Sequence, residues 1–135
     1  MSLGSWDPQT EQSASDFQID HDLLHLFISL SERELLDQLN QQLSAEQQQV
    51  QARLMQVDKD DWFKALQNYN DTQLQHLMRF FTVAEQLPGW EAGEKSPVIW
   101  IGKVLKQRGT GIQRELILWI KANSRNQYLP HGPLL

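Results

Sequence analysis

Two histidines four residues apart are the first feature of this chain that could do chemistry. His21 and His25 would share one face of a helix, and this spacing can place two imidazoles on one metal ion. A third ligand would have to come from Asp22, His76 or His131, and nothing in the sequence brings these residues together. The chain has no cysteine and no His-Glu-x-x-His pattern. We therefore predict no metal site and no cofactor.

A cluster of acids at residues 58–61 is the second candidate, because oxygen ligands close together can bind calcium. A calcium loop that began at Asp58 would need an oxygen ligand and then a glycine where Trp62 and Phe63 stand. The pattern therefore excludes a calcium loop. Carboxylates at this position instead predict the first turn of a helix, where they meet unpaired N–H groups.

Catalytic patterns are missing from the sequence. It contains no Gly-x-Ser-x-Gly elbow, no phosphate-binding loop and no dinucleotide fingerprint. Paired acids such as Glu32 and Glu34 are two residues apart, so they would point to different faces of a helix. An enzyme would need a pocket built from residues distant in the sequence. We expect a non-catalytic protein.

Charge is divided unevenly along the chain. Residues 1–94 carry sixteen Asp or Glu against five Lys or Arg, whereas residues 95–135 carry seven Lys or Arg against Glu115 alone. The two parts have formal charges of −11 and +6, which sum to −5. Such asymmetry indicates either a charged partner or two halves that attract each other. The cations that could contact an anionic partner are Lys103, Lys106, Arg108, Arg114 and Arg125.

These cations surround a Gly109-Thr110-Gly111 turn between two predicted helices, an arrangement shared with helix-turn-helix DNA-binding motifs. The second helix is too apolar to expose polar side chains to base edges, because residues 116–120 are all hydrophobic. Phosphate contact by the turn and its cations is therefore an alternative function. Its test is a salt titration, since phosphate contacts strengthen steeply as salt is lowered.

The end of the chain combines apolar side chains with two prolines and a glycine, which prevent a regular helix. We expect an extended tail that folds back over the helices, with docking on a partner as the alternative. The apolar residues of this tail are Tyr128, Leu129, Leu134 and Leu135. Trp90 lies in a loop, where it either covers the Pro88-Gly89 turn or forms an exposed anchor.

The elements that would position these residues are helices. Apolar residues recur at helical spacing near 20–30, 58–66, 74–87 and 112–120. Ser31 with Glu34, and Ser44 with Gln47, each have the spacing of a capping box. The stretch from Ser44 to Val57 is therefore either a second helix or a continuation of the first, and one apolar stripe through residues 35–57 favours continuity. Ser96-Pro97 predicts the start of a buried helix, with a short strand at 97–101 as the alternative.

These elements predict an all-α fold of five or six short helices, with a C-terminal helical hairpin at 97–122. We assign residues 1–16 to a flexible leader, 17–122 to one helical domain and 123–135 to the tail. No apolar run is long enough to cross a membrane, and no secretory signal begins the chain. We expect a soluble cytoplasmic protein that binds an unidentified protein partner, with homo-oligomerisation left open.

Overall fold

The computed structural model describes residues 18–126. The regular structure within this range is helical. We number the α-helices of this part α1 to α7 in chain order. Their bounds are His21–Glu32, Leu39–Gln42, Ala45–Gln51, Lys59–Leu66, Asp71–Ala84, Pro97–Gln107 and Arg114–Asn123. Short 3-10 helices lie at Leu36–Gln38, Ala52–Gln56 and Gly93–Lys95. The predicted all-α class is confirmed, although residues 18–126 form seven α-helices instead of the five or six predicted for the fold, and residues 97–101 are helical rather than a strand.

Several helices begin where the sequence predicts. The Asp20 carboxylate accepts from the backbone N–H of Asp22 at 2.9 Å and caps α1. Ser96 caps α6, which starts at Pro97, where the missing N–H costs no hydrogen bond. Asp58 is the N-cap residue of α4, although its side chain makes no capping bond. The capping box of Asn70 with Gln73 at the start of α5 was not predicted.

Ser31 and Glu34 do not start a helix, and this prediction is wrong. Both residues belong to the end of α1, where the N–H of Leu35 donates to the carbonyl of Leu30 and the N–H of Glu34 to that of Ser31. These two bonds are the Schellman motif that terminates a helix. Glu34 has a positive φ of 58° there, in the left-handed region. The same residue types at the same spacing thus close a helix instead of opening one.

The continuous helix over residues 35–57 that the apolar stripe favoured is also wrong, whereas the alternative of a new helix at Ser44 is correct. Leu43 is extended, and the Ser44–Gln47 capping box, which is confirmed, starts α3 as a new helix. Leu43 and Leu54 are buried, whereas Val50 between them is 47% exposed. The chain therefore changes direction at the break after Leu43, since one straight helix would place Leu43, Val50 and Leu54 on the same face.

The core is built around α5, which packs against α1, α6 and α7. Its buried face carries Leu77 and Phe81, and the rings of Phe80 and Phe27 from α1 stack with centroids 3.9 Å apart. Trp62 and Trp90 are fully buried, and Trp100 and Trp119 are partly buried against the same cluster. In the described range, the buried side chains thus form one hydrophobic cluster.

The two helices of the predicted C-terminal hairpin both depend on α5. α5 packs closely on α6 and to a smaller extent on α7, whereas α6 and α7 make little contact with each other. An irregular stretch at residues 110–113 separates them, with Gly111 at a positive φ of 68°. α6 is therefore covered by α4 and α5, and α7 is covered by α5. Over residues 18–126, no helix combines the length and apolar character needed to cross a membrane.

Candidate functional site

An open groove of about 840 Å³ lies between the end of α1, the middle of α5 and the end of α7. The connection after α1 supplies one wall, α5 supplies His76, Arg79 and Val83, and α7 with the residues after it supplies the other wall. Because the walls belong to segments about 90 residues apart in the sequence, only the packing of α1 and α7 on α5 forms this groove. We call it the α1–α7 groove.

Trp119 and Arg79 form the aromatic part of the α1–α7 groove. The Arg79 guanidinium carbon lies 4.9 Å from the centroid of the Trp119 ring, which is the geometry of a cation–π contact. Both side chains are half-buried. The contact holds the indole in place while leaving part of it open to solvent. Leu118, the preceding residue, is 51% exposed and does not line the groove.

Acidic side chains form the opposite rim of the groove. Glu32, Glu34 and Asp37 all line it and are exposed. Glu34 stands at the position of a Schellman motif that glycine usually occupies, since a left-handed backbone is strained for any residue with a Cβ. The α6 helix ends in the same motif and has Gly109 at that position, with φ 81°. The chain therefore places a carboxylate at the groove where the backbone favours glycine.

Ser31 and His76 lie at the base of the groove and touch each other. Ser31 Oγ and His76 Nδ1 are 2.8 Å apart, a contact that resembles the nucleophile and base of hydrolytic enzymes. Such a base needs a third group that orients the imidazole. Among residues 18–126, no carboxylate hydrogen-bonds to His76, and Ser31 is only 6% exposed in the last turn of α1. The pair therefore joins α1 to α5 and lacks the geometry of a catalytic triad.

A second, smaller cavity of about 240 Å³ lies beside the groove, next to Glu85 at the end of α5. The Glu85 side chain is buried, with 7% of the residue exposed. One carboxylate oxygen accepts from the Ser96 hydroxyl, and the other accepts from the Asn126 side-chain amide at 3.0 Å. The same Asn126 amide group also donates to the carbonyl of Gly93 at 2.8 Å. One carboxylate thus ties together α5, the start of α6 and the segment after α7.

The environment of Glu85 changes its protonation. Burial raises the pKa of Glu85 from 4.5 to about 7, and the hydrogen bonds from Ser96, Asn126 and the Ala92 backbone oppose this rise. Desolvation is therefore the larger effect, because three donors do not restore the hydration that the carboxylate loses. A buried acid with such a pKa beside a cavity is the most perturbed group next to the groove.

The five predicted anion-contact residues do not all face one surface. Arg125 lines both the groove and the Glu85 cavity and follows the end of α7, whereas Arg114 lies at the start of this helix, which is roughly 14 Å long. The Lys103 ammonium lies 5.5 Å from the Trp100 ring centroid, and Lys106 is exposed on α6. Contact of these residues with an anionic partner stays a prediction.

Arg108 is bound within the chain. Its guanidinium donates to the Asp71 carboxylate and to the Tyr69 carbonyl, both at 2.9 Å, and to the Leu66 carbonyl at 3.4 Å. Hydrogen bonds from Thr110 and Arg108 lower the pKa of Asp71 below its usual range. A cation of the basic half therefore pairs with an acid of the acidic half, as expected if the two halves attract each other.

The His21 and His25 pair lies on the Tyr69 ring instead of on a shared ligand. His21 Nδ1 and the Tyr69 hydroxyl are 2.6 Å apart, and the His25 ring centroid is 5.4 Å from that of Tyr69. Burial, and secondarily the charge of Asp20, raises the pKa of Tyr69 to about 12. Within the described residues, no group of three His, Asp or Glu side chains is arranged to hold a metal ion.

Two further predictions concern Trp90 and the tail. Trp90 is fully buried, and its indole N–H donates to the Gln48 carbonyl at 2.8 Å, so it is part of the core and not an exposed anchor. The four predicted docking residues of the tail, at positions 128, 129, 134 and 135, lie outside the described residues, as do residues 1–17.

Neither the groove nor the buried position of Glu85 was predicted from the sequence. A signal for Glu85 was present, because it lies four residues after Phe81 and seven after Met78, on the apolar stripe of α5. A charged residue on such a stripe indicates a buried polar contact. No comparable signal existed for Arg79 with Trp119, since these residues are forty positions apart.

Comparison of the chain with protein-family models, with curated proteins and with solved structures finds no match. The function is therefore argued from the geometry of the site alone.

Proposed function

We propose that this chain is a non-catalytic, cytoplasmic protein-interaction domain, and that the α1–α7 groove binds a short segment of a partner protein. The observation that carries the proposal is the groove itself, about 840 Å³ in volume, with a half-buried tryptophan in one wall and three exposed carboxylates on the other. Small-molecule sites are mostly apolar and enclose their ligand, whereas this groove is open and lined by charged and amide side chains.

The chemistry of the walls defines the partner segment. The acidic rim of Glu32, Glu34 and Asp37 favours a Lys or Arg side chain, since opposite charges steer encounter and fix register. The exposed part of the Trp119 ring favours an apolar or aromatic side chain next to that cation. The Arg79 guanidinium already packs over the indole ring, and the rest of the exposed ring surface is open to the partner. We infer a segment that carries one basic and one large apolar residue.

Peptide selection tests this proposal directly. A random peptide library is selected on the wild-type chain, and the affinities of recovered peptides are measured by calorimetry. We expect Lys or Arg beside a large apolar residue. Trp119→Ala and the charge reversals Glu32→Lys and Asp37→Lys should each weaken binding by about tenfold or more, which corresponds to about 1.4 kcal/mol.

Matched controls separate the groove from general effects. Leu118→Ala removes an exposed side chain of α7 outside the groove, and Glu46→Lys reverses an exposed acid of α3 outside it. Both variants should bind like the wild type, and circular dichroism should show equal helicity for every variant. Recovery of no peptide, or equal loss for groove and control variants, would contradict the proposal.

A further inference from the structure

The segment that follows α7 is attached to the body of the domain through Glu85. Asn126 is the residue that reaches across, and its amide group meets two acceptors, a Glu85 oxygen at 3.0 Å and the Gly93 carbonyl at 2.8 Å. Because both partners accept, the NH₂ of Asn126 must face them. Nearer to α7, the Gln86 amide donates to the Asn123 carbonyl. Residues 124–126 therefore lie across the end of α5.

The closed segment covers a carboxyl group that has little water around it. Glu85 is only 7% exposed, although a cavity of about 240 Å³ lies next to it. That cavity is lined by Arg125 and Asn126 of the segment itself and by Glu85, Gln86 and residues 91–93. Movement of the segment away from α5 would widen the opening of the cavity to solvent and hydrate the carboxylate.

The closed arrangement can also hold a proton. The carboxylate oxygen that faces Ser96 can carry it and donate to the Ser96 oxygen, which already accepts from the Val98 N–H and has a second lone pair. The other oxygen keeps its bond from Asn126. The bonds that Glu85 shares with Ser96 and Asn126 are thus compatible with a neutral carboxyl group.

We propose that residues 124–126 form a proton-linked strap, which closes over Glu85 when its carboxyl group is protonated and opens when the carboxylate is ionised and hydrated. This inference does not depend on the proposed partner of the α1–α7 groove. It has a consequence for that groove, because Ser124 and Arg125 line its wall. Opening of the strap would move this wall and change the site.

The direction of the pH dependence follows from linkage. In the closed state burial raises the pKa of Glu85 to about 7, and in a hydrated open state it returns toward its ordinary 4.5. Closing therefore takes up a proton between pH 4.5 and 7, and the closing equilibrium falls by up to about tenfold per pH unit in this window. The charged residues that line the cavity with Glu85 are Glu91, in the loop after α5, and Arg125 on the strap, which are one acid and one base. Glu94 and Lys95 lie on the 3-10 helix between α5 and α6.

The test combines a carboxyl titration with amide hydrogen exchange. The side-chain carbon of Glu85 is titrated by NMR in the wild type and in Asn126→Ala, and the pKa should fall by at least one unit in the variant because the strap no longer covers the carboxylate. Protection of the Ser124 and Asn126 amides, corrected for intrinsic exchange, should decrease from pH 5 to 7 in the wild type and stay constant in Glu85→Gln.

Two controls complete the experiment. Glu91→Gln changes an exposed acid of the same cavity and should keep the wild-type pH dependence. If Glu85→Gln does not fold, the comparison of wild type with Asn126→Ala decides the question alone. An unchanged or raised pKa of Glu85 in Asn126→Ala would overturn the strap, since loss of the Asn126 bond without opening removes only a donor to the carboxylate. Protection of residues 124–126 that is constant from pH 5 to 7 in the wild type would overturn it as well.

Discussion

Glu34 shows how a single residue serves the site at a cost to the backbone. It lies in the left-handed region with φ 58°, at the position where α6 has Gly109. A residue with a Cβ in this conformation is strained by roughly 1–2 kcal/mol, and glycine is not. The side chain of Glu34 lies at the rim of the α1–α7 groove. We interpret the strain as the result of a requirement for negative charge there.

This interpretation predicts that Glu34→Gly stabilises the fold while weakening the binding of a basic peptide. We expect a gain of about 0.5–1 kcal/mol in the free energy of unfolding, because the relief of strain exceeds the larger chain entropy that glycine adds to the unfolded state. Urea denaturation measures the first effect and calorimetry the second.

The matched control is Gly109→Ala at the same position of the α6 motif. A Cβ there would meet nothing within 4 Å, so its effect reports backbone strain and not a clash. We expect a loss of about 1 kcal/mol. A destabilising Glu34→Gly would show that the carboxylate makes a stabilising contact and that the backbone is not strained.

Among the structural elements, the helix ends are the features that the sequence pattern predicted most directly. Asp20, Ser44 and Ser96 cap helices as predicted, because a short polar side chain before an apolar stripe satisfies free N–H groups locally. The pattern of Ser31 with Glu34 predicted a helix start wrongly, because the same local pattern fits either end of a helix. The end was decided by the burial of Ser31 against His76, which is 45 residues away.

Arg108 is the residue that joins helix ends across the fold, and we predict that Arg108→Ala destabilises the protein by about 1–2 kcal/mol. The change would leave the Leu66 and Tyr69 carbonyls at the end of α4, and the Asp71 carboxylate at the start of α5, without this donor. The estimate is small because the ion pair is partly exposed, with 26% and 37% of the two side chains accessible.

Thermal and urea unfolding check this prediction, with Lys106→Ala as the control. Lys106 is an exposed cation of the same helix, and its removal should change stability by less than about 0.5 kcal/mol. Arg108→Lys should recover only part of the loss, since an ammonium cannot form the same fork of hydrogen bonds. Equal stability of the Arg108→Ala and Lys106→Ala proteins would mean that the bridge contributes nothing.

For the whole molecule, we predict that Glu85 makes the fold less stable as pH rises toward neutrality. The pKa of Glu85 is about 7 in the folded protein and 4.5 for an ordinary glutamate, so the folded state binds the proton more tightly between these values. The stability that this proton contributes is complete below pH 4.5 and is lost as pH rises through 7. Each unit of pKa difference corresponds to about 1.4 kcal/mol.

Urea denaturation of the wild type and Glu85→Gln at pH 5 and pH 7.5 measures this effect. The stability of the wild type relative to the variant should fall by about 2 kcal/mol between these pH values, because glutamine stays neutral at both. Glu91→Gln should leave the wild-type slope unchanged. A constant difference between wild type and Glu85→Gln would show that Glu85 titrates alike in the folded and unfolded chain.

The sequence by itself determined the all-α class, most helix starts and the turn at Gly109-Thr110-Gly111. Each of these depends on hydrogen bonds and side-chain spacing within about one helical turn, so the pattern that specifies it can be seen locally. The charge split was also visible. The specific ion pair between the two halves was not visible in the sequence, since the contact of Arg108 with Asp71 joins residues 37 positions apart.

Tertiary structure alone decided the site. Arg79 and Trp119 meet because α5 and α7 pack together. The acidic rim faces them because α1 ends beside the middle of α5. Asn126 covers Glu85 although the two residues are 41 positions apart in the sequence. The positive φ of Glu34 and the break after Leu43 are likewise features of the folded chain that the local pattern did not predict. Burial and long-range contact are properties of the packed chain, and local spacing carries no information about which distant surfaces will meet.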